Sequence, residues 1–266
     1  MHHRPLLSSL RSLRVAAVAL ALLAPVAGAQ TLPSPATLAA RHDSLIGGRA
    51  ALEPLRSIRI IGTFSLAAAG IEAPLEILKL RPNKYVFRAA LGPMGEVMQG
   101  FDGTTAWAVQ PGQGPMILTG PQAAGIAEQA DFFGDLHNYS KYASTETVGE
   151  EQFAGQRTYK VKLTRPNGDI VNEFFNVETG LSAGGSATVQ GPTGPAETVS
   201  MVSDYKRFGG LLVATRLVQR LPQYEIVLSF VTLEFDQVTE LDVTPPEGVL
   251  ALLQKPDSTM TNGRRP

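Results

Sequence analysis

From Ser57 almost to residue 244 the chain keeps returning to one pattern, apolar side chains at every second position, punctuated by glycine, proline, asparagine and aspartate. Ile58, Ile60, Gly62, Phe64 and Leu66 set it. Period two marks a strand with one buried face, because successive side chains point to opposite sides. Leu75 and Ile77 open a second strand, interrupted near Arg81-Pro82-Asn83, and Tyr85, Phe87, Ala89 and Leu91 alternate in a third. Glu96 to Phe101 reads as a fourth, turned by Asp102-Gly103 into a return strand over Thr105 to Val109 with Trp107 at its centre. Pro111 to Gly114 read as loop. Farther along, Tyr159 to Leu163 alternates, Asn167-Gly168 signals a hairpin, and Ile170 to Val177 is its partner. Residues 182–196, rich in Gly, Pro, Ser and Thr, fit two weak strands and a turn. Thr198 to Tyr205, Leu211 to Leu221 and Tyr224 to Phe235 complete the set, and Pro245-Pro246 stops it.

About ten or eleven antiparallel strands joined by hairpins build a curled sheet or a barrel. Helical signals are few. Ser34 can cap and Pro35 suits a first helical position. Leu38, Leu45 and Ile46 follow on one face, and Gly47-Gly48 ends that helix. A second short helix is predicted over Arg49 to Leu55. A third is predicted over 121–136, with Ile126, Ala130, Phe133 and Leu136 in a stripe and Phe132 beside it, and a short one over Gly248 to Leu253. So few helices cannot cover the apolar face of so many strands. The remainder must be core, or a cavity for an apolar ligand.

The N-terminus reads as an export signal. Residues 1–14 hold Arg4, Arg11 and Arg14 and no acid, Val15 to Val26 is apolar, and Ala27-Gly28-Ala29 is a small-residue cleavage site. The expected organisation is a cleavable signal peptide over 1–29, a linker over 30–35, one domain over 36–255 and a flexible tail over 256–266. The apolar run is too short to span a bilayer, and no later stretch approaches 18 apolar residues, so no transmembrane helix is expected after the signal. The expected destination is the periplasm. Without residues 1–29 the chain has 20 basic and 24 acidic side chains. That balance leaves no basic patch for a phosphate backbone, which argues against nucleic acid. The absence of cysteine excludes disulfides, thiolate metal sites, a cysteine nucleophile and a lipidated N-terminal cysteine.

A search for chemistry returns little. His42 and His137 share no metal-ligand spacing, so no metal is expected. Asp135, His137 and Ser140 are triad residue types, but they crowd into six residues of one loop, where triads assemble from distant segments. Gly112-Gln113-Gly114 lacks the helix a phosphate loop needs. Glu150 and Glu151 are adjacent, hence on opposite faces of a strand. No catalytic residue and no cofactor is expected; the chain reads as a non-enzyme.

Five segments together resemble the superfamily of outer-membrane lipoprotein-sorting proteins, the LolA/LolB-like fold. They are LIGGRAALEPLRSIRIIGTF (45–64), KLRPNKYVFRA (79–89), GFDGTTAWAVQP (100–111), GQRTYKVKLTRPNGDIVNEFFNVETGL (155–181) and DYKRFGGLLVATRLV (204–218). Ala214 stands where proline is common in that family, and 182–201 is longer and richer in Gly and Pro than in the dedicated sorting chaperone. The resemblance implies a mainly β (α+β) fold, a curved, incomplete antiparallel barrel with helices as a lid over its concave face. It also implies a hydrophobic cavity for the acyl chains of a lipid or lipoprotein, with envelope membrane proteins as donor or acceptor. The reading it supports is a soluble periplasmic carrier. The alternative is a non-transport module of the same fold, serving envelope assembly, sensing or a peptidase. On this reading the cavity candidates are Ile58, Ile60, Phe64, Tyr85, Phe87, Trp107, Phe174 and Phe230, and the lid candidates are Leu38, Leu45, Ile126, Phe132 and Phe133.

Overall fold

The structure, a computed structural model, describes residues 31–191 and 194–254; the expected signal peptide and C-terminal tail lie outside them. Thirteen strands form one open sheet. In chain order they are β1 (Ser57–Leu66), β2 (Ile71–Leu80), β3 (Lys84–Ala90), β4 (Glu96–Phe101), β5 (Ala106–Gln110), β6 (Gly114–Ile117), β7 (Ser144–Phe153), β8 (Gln156–Thr164), β9 (Ile170–Asn176), β10 (Ser182–Gly191), β11 (Gly194–Phe208), β12 (Leu211–Arg220) and β13 (Glu225–Phe235). The order across the sheet is β6-β5-β4-β3-β2-β1-β13-β12-β11-β10-β9-β8-β7. All pairs are antiparallel, and only the β1–β13 pairing joins strands distant in sequence. The sheet curves without closing, as an incomplete barrel.

Among the described residues four α-helices accompany it: α1 (Pro35–Ile46), α2 (Gly48–Leu52), α3 (Gly120–Ala130) and α4 (Glu247–Leu253). The Ser34 side chain accepts the Thr37 N–H, with Pro35 just inside the helix, as the sequence predicts. Gly47 has φ 112°, and a Cβ there would collide with the carbonyl oxygen of Gly210, so glycine both ends α1 and admits the β11–β12 turn. The third helix stops at Ala130, well short of the predicted 136. Asp131 leaves helical geometry, and its carboxylate accepts the Phe133 N–H in a side-chain turn.

The strand count exceeds the ten or eleven expected. β6 is four residues long and carries Pro115, whose missing N–H is tolerated on an edge. β7 forms the other edge. A bulge between Thr147 and Gly149, with Glu146, Glu150 and Glu151 along the strand, protects it from pairing with another chain. The last strand ends at Phe235, as the sequence predicts. Asp236, at φ 58°, turns the chain and accepts the Arg56 and Ser57 N–H groups.

The segment after Asp236 packs on the face opposite the long helices. Val238, Val243 and Val249 form one core with Leu78, Val86 and Trp107. The register explains it. Ile77, Phe87, Gln99 and Ala108 are successive cross-strand partners on the concave face, so Leu78, Val86, Gly100 and Trp107 point the other way. Trp107 is fully buried there (0% exposed), its ring filling the space over Gly100. The sheet therefore has a core on each side. We expect Gly100→Leu to cost about 1–3 kcal/mol through displacement of the indole. Urea unfolding followed by emission of this single tryptophan measures it, and a loss within error would contradict this packing.

Candidate functional site: the concave face and its polar clasp

Cross-strand partners share a face, so the concave lining can be followed across the sheet. Ile58 faces Phe235 and Lys79, and Ile60 faces Leu233 and Ile77. At this end the face is covered. Leu52 of α2, Leu211 and Phe132 close over Ile58, with Ile60, Phe133 and Phe235 around them. Toward β5, Ile126 and Ala130 of α3 cover Leu75, Ile77, Tyr85, Phe87, Ala89 and Ala106. Toward β7, Leu38 of α1 seats on Val161, Leu163 and Phe175.

Between these three caps one row stays half-exposed. Phe64 on β1 pairs with Leu228 on β13, Leu228 with Leu217 on β12, and Leu217 with Val202 on β11. Four apolar side chains in register make a continuous row, the trough, on the concave side of the curved sheet. The corresponding outer row, Ser65, Val227, Val218, Met201, is likewise partly exposed, with one polar and three smaller or unbranched apolar side chains. Gly62 sits at the wall of this trough. The register slips there by one residue, and a Cβ would strike the Ser229 carbonyl.

Six cavity candidates, Ile58, Ile60, Phe64, Tyr85, Phe87 and Phe230, lie on the concave face. Two do not. Trp107 belongs to the outer core. Phe174 is paired with Lys160 on the outer face and stacks flat on Phe153 at 3.8 Å. Alternation is the same whichever face a strand turns inward, so single strands could not separate these two aromatics from the others. Among the lid candidates, Leu38 and Ile126 are buried beneath their helices. Leu45 is 37% exposed, because the buried face of α1 is Leu38, Ala39, His42 and Ile46, centred on the histidine. Phe132 and Phe133 lie in the turn after α3, not on it. Phe132 is buried, whereas Phe133 is half-buried between the guanidinium groups of Arg49 and Arg81, 4.3 and 4.8 Å from its ring centre.

Two half-open pockets among the described residues are small and polar. One, of about 200 Å³, lies on the outer face among Arg59, Glu76, Arg88 and Asp242, where Glu76 bridges both arginines. The other, of about 90 Å³, lies on the concave side beside His137, Tyr139, Tyr142 and Glu173. It adjoins a cluster that sequence spacing did not reveal. His42 and His137 stand ring to ring at 5.2 Å, edge to face. The Ser182 N–H donates to His42 Nδ1 at 3.0 Å. His137 Nδ1–H donates to Asp43 at 2.6 Å, and its Nε2 is 3.7 Å from Glu173, which also accepts the Tyr139 hydroxyl at 2.7 Å. Burial pushes the Glu173 carboxyl up, against the pull of His137 and the Tyr139 hydrogen bond, and burial with the Glu173 charge pushes the Tyr139 hydroxyl up.

This cluster deserves a test as a metal centre, since ligand atoms of His42, Asp43 and His137 lie within 4.8 Å of one another. The donor set fits poorly. A backbone amide can only donate, so it occupies the one lone pair of a neutral His42. Asp43 is engaged by His137 Nδ1–H and by the His137 backbone N–H. With His42 taken, Asp43, His137 Nε2 and Glu173 remain, one short of the four ligands of a structural site. The triad types also fail to meet, because Ser140 Oγ donates to Asn138 rather than to His137.

An open, curved antiparallel sheet with short helices on its concave side defines the LolA-like class of fold. Solved structures agree. The chain is similar to a DUF1329 family protein from Desulfovibrio piger (11% identity, TM-score 0.54, 78% of this chain and 94% of that one). It is similar to a LolA superfamily protein from Nitrosomonas europaea (12%, 0.53, 80% and 99%) and to an outer membrane lipoprotein-sorting protein domain from Vibrio parahaemolyticus (13%, 0.51, 77% and 94%). No family model and no curated protein matches the sequence. Among the described residues no helix is long and apolar enough to cross a membrane.

The two turn phenylalanines should separate energetically. Phe132→Ala is expected to cost about 3–5 kcal/mol as a core truncation. Phe133→Ala should cost about 1–2 kcal/mol, its half-exposed ring losing mainly its contacts with the two arginines. Chemical denaturation measures both, and equal losses would contradict the difference in burial.

Proposed function

We propose that the protein binds acyl chains of a lipid or lipoprotein along the Phe64–Leu228–Leu217–Val202 trough and carries them within the bacterial envelope, without catalysis. The observation that carries this reading is the partly exposed apolar row itself, in which Phe64 and Leu228 touch the cluster under α3 yet none of the four side chains is fully buried. A monomer gains little by leaving such a row partly in water when the neighbouring parts of the same face are capped. A hydrocarbon laid along the row would leave water at about 0.8 kcal/mol per methylene. The walls are helices and a turn, which can shift to admit and release it. The export-signal pattern at the N-terminus supports an envelope location, and the LolA-like fold supports handling of lipid or lipoprotein there.

A second reading, a binding or accessory module that carries no lipid, draws on the small size of the two pockets. At about 200 and 90 Å³ they fall below the roughly 300–1,000 Å³ typical of ligand pockets.

Displacement of a fluorescent fatty acid tests the carrier reading, with each variant's fold checked by urea denaturation. Leu228→Glu and Leu217→Glu should each weaken uptake at least tenfold. Val218→Glu, on the same strand but facing outward, should leave it unchanged. Equal loss in all three, or no uptake by the wild type, would sink the trough as a lipid site. Native mass spectrometry of the protein from its own envelope decides between the readings, since a carrier should retain an acyl species in whole-number ratio.

A further inference from the structure

The polar cluster sits where α1, the turn after α3, β9 and β10 converge, and one of its bonds has an unusual property. In a neutral imidazole one ring nitrogen donates and the other accepts. Because the Ser182 N–H donates to His42 Nδ1, the proton of His42 is on Nε2. A second proton has one place to go, and that place is Nδ1. Protonation therefore deletes the hydrogen bond that ties α1 to β10 and sets two donors head to head. It also places a cation 5.2 Å from the His137 ring.

We propose that this cluster is an acid-sensitive latch, in which protonation of His42 at Nδ1 breaks the link from α1 to β10, leaves Asp43 on His137 and Arg41 on the Val177 and Glu178 carbonyls as the polar ties of α1, and so loosens α1 over the concave face beside the trough. The groups around His42 come from every neighbouring element. Asp43 lies on α1 itself, Asp135 and His137 on the turn, Glu173 on β9 and Tyr205 on β11, where its hydroxyl donates to the Ser182 carbonyl. Phe175, packed against both histidine rings, supplies no charge. Burial first and His137 second hold His42 down to about 4, against the opposite pull of Asp43 and Asp135. The sign follows. A released His42 regains its ordinary value of 6.5, so the released form takes up the proton more readily, and the closed form loses ground as pH falls from 6.5 toward 4. Glu173 runs the other way, since burial raises it and acid neutralises it in place. The latch thus opens through His42 rather than through the carboxylate. It requires no bound lipid, so it stands or falls apart from the carrier reading.

Double electron–electron resonance on the full chain tests it, and the lack of native cysteine makes labelling specific. One spin pair, Ser44→Cys on α1 with Lys206→Cys on β11, reports the latch. A second, Gln152→Cys with Lys206→Cys, reports the sheet. Between pH 7.5 and pH 4.5 the first pair should gain a longer distance population while the second stays constant. His42→Asn keeps an acceptor near the Nδ1 position but does not titrate, and should hold the short distance at both pH values. In the wild type the His42 ring titration, followed by NMR, should share its midpoint with the distance change, a readout that does not depend on the variant folding. An unchanged first pair, broadening of both pairs together, the same opening in a folded His42→Asn, or a different ring midpoint would each overturn the latch.

Discussion

A sheet that curves but does not close has two faces and two free edges to shield from water. Everything else in this chain follows from that constraint. Closure would remove the edges; here they are handled separately, by a four-residue strand with proline at one side and a bulged, glutamate-bearing strand at the other. The faces are handled unequally. The outer face near β2–β5 is sealed by the C-terminal segment, with Trp107 at the centre of that packing. Among the described residues the concave face is covered by α1, α2, α3 and the segment after α3, at its margins. The uncovered middle is what remains when too few helices meet too many strands.

That imbalance was legible in the sequence, because strands and helices announce themselves by different periods. Bounds were also legible where the local chemistry is strong. Glu96–Phe101 is a strand as predicted, and the Asp102 carboxylate accepts the Thr104 and Thr105 N–H groups in the turn the sequence announces. What alternation cannot supply is the absolute face. It groups Trp107 with Val109 and Thr105, but only the pairing of Gly100 with Trp107 shows that this set faces outward. Phe174 is the same case at the other end of the sheet. The overlong third helix is a different failure. A stripe of Ile126, Ala130, Phe133 and Leu136 is sound helical spacing, yet the Asp131 side chain offers the backbone a competing turn, and the competing turn wins.

The candidate site was less legible than the fold, for a reason of distance. The trough takes one residue from each of β1, β13, β12 and β11, and no local pattern says that Phe64 and Leu228 meet. His42 and His137 lie far apart in the chain, so a search for ligand spacing passes over them. Their closeness is a product of the fold, as α1 lies across the strands that the turn after α3 also touches. Once they are together, hydrogen-bond chemistry decides what they are. The Ser182 amide fixes the tautomer of His42, and Asp43 fixes that of His137.

The open trough and the small polar volumes have a common physical origin. An enclosed apolar cavity large enough for an acyl chain leaves its lining without contacts whenever it is empty, and a domain of this size has little stability to spare. A trough avoids that cost by leaving its lining in contact with water, which limits the affinity of the resting form to the area a hydrocarbon covers on one side. Tighter holding then requires the walls to move over the ligand, and faster release requires them to move away. A wall that meets the sheet partly through polar contacts is the easier one to move, because a hydrogen bond lost to water costs far less than an exposed core side chain. In this protein α1 combines an apolar seat, Leu38 on Val161, Leu163 and Phe175, with the His42 hydrogen bond, whereas the Ile126 face of α3 is buried in the largest of the concave clusters.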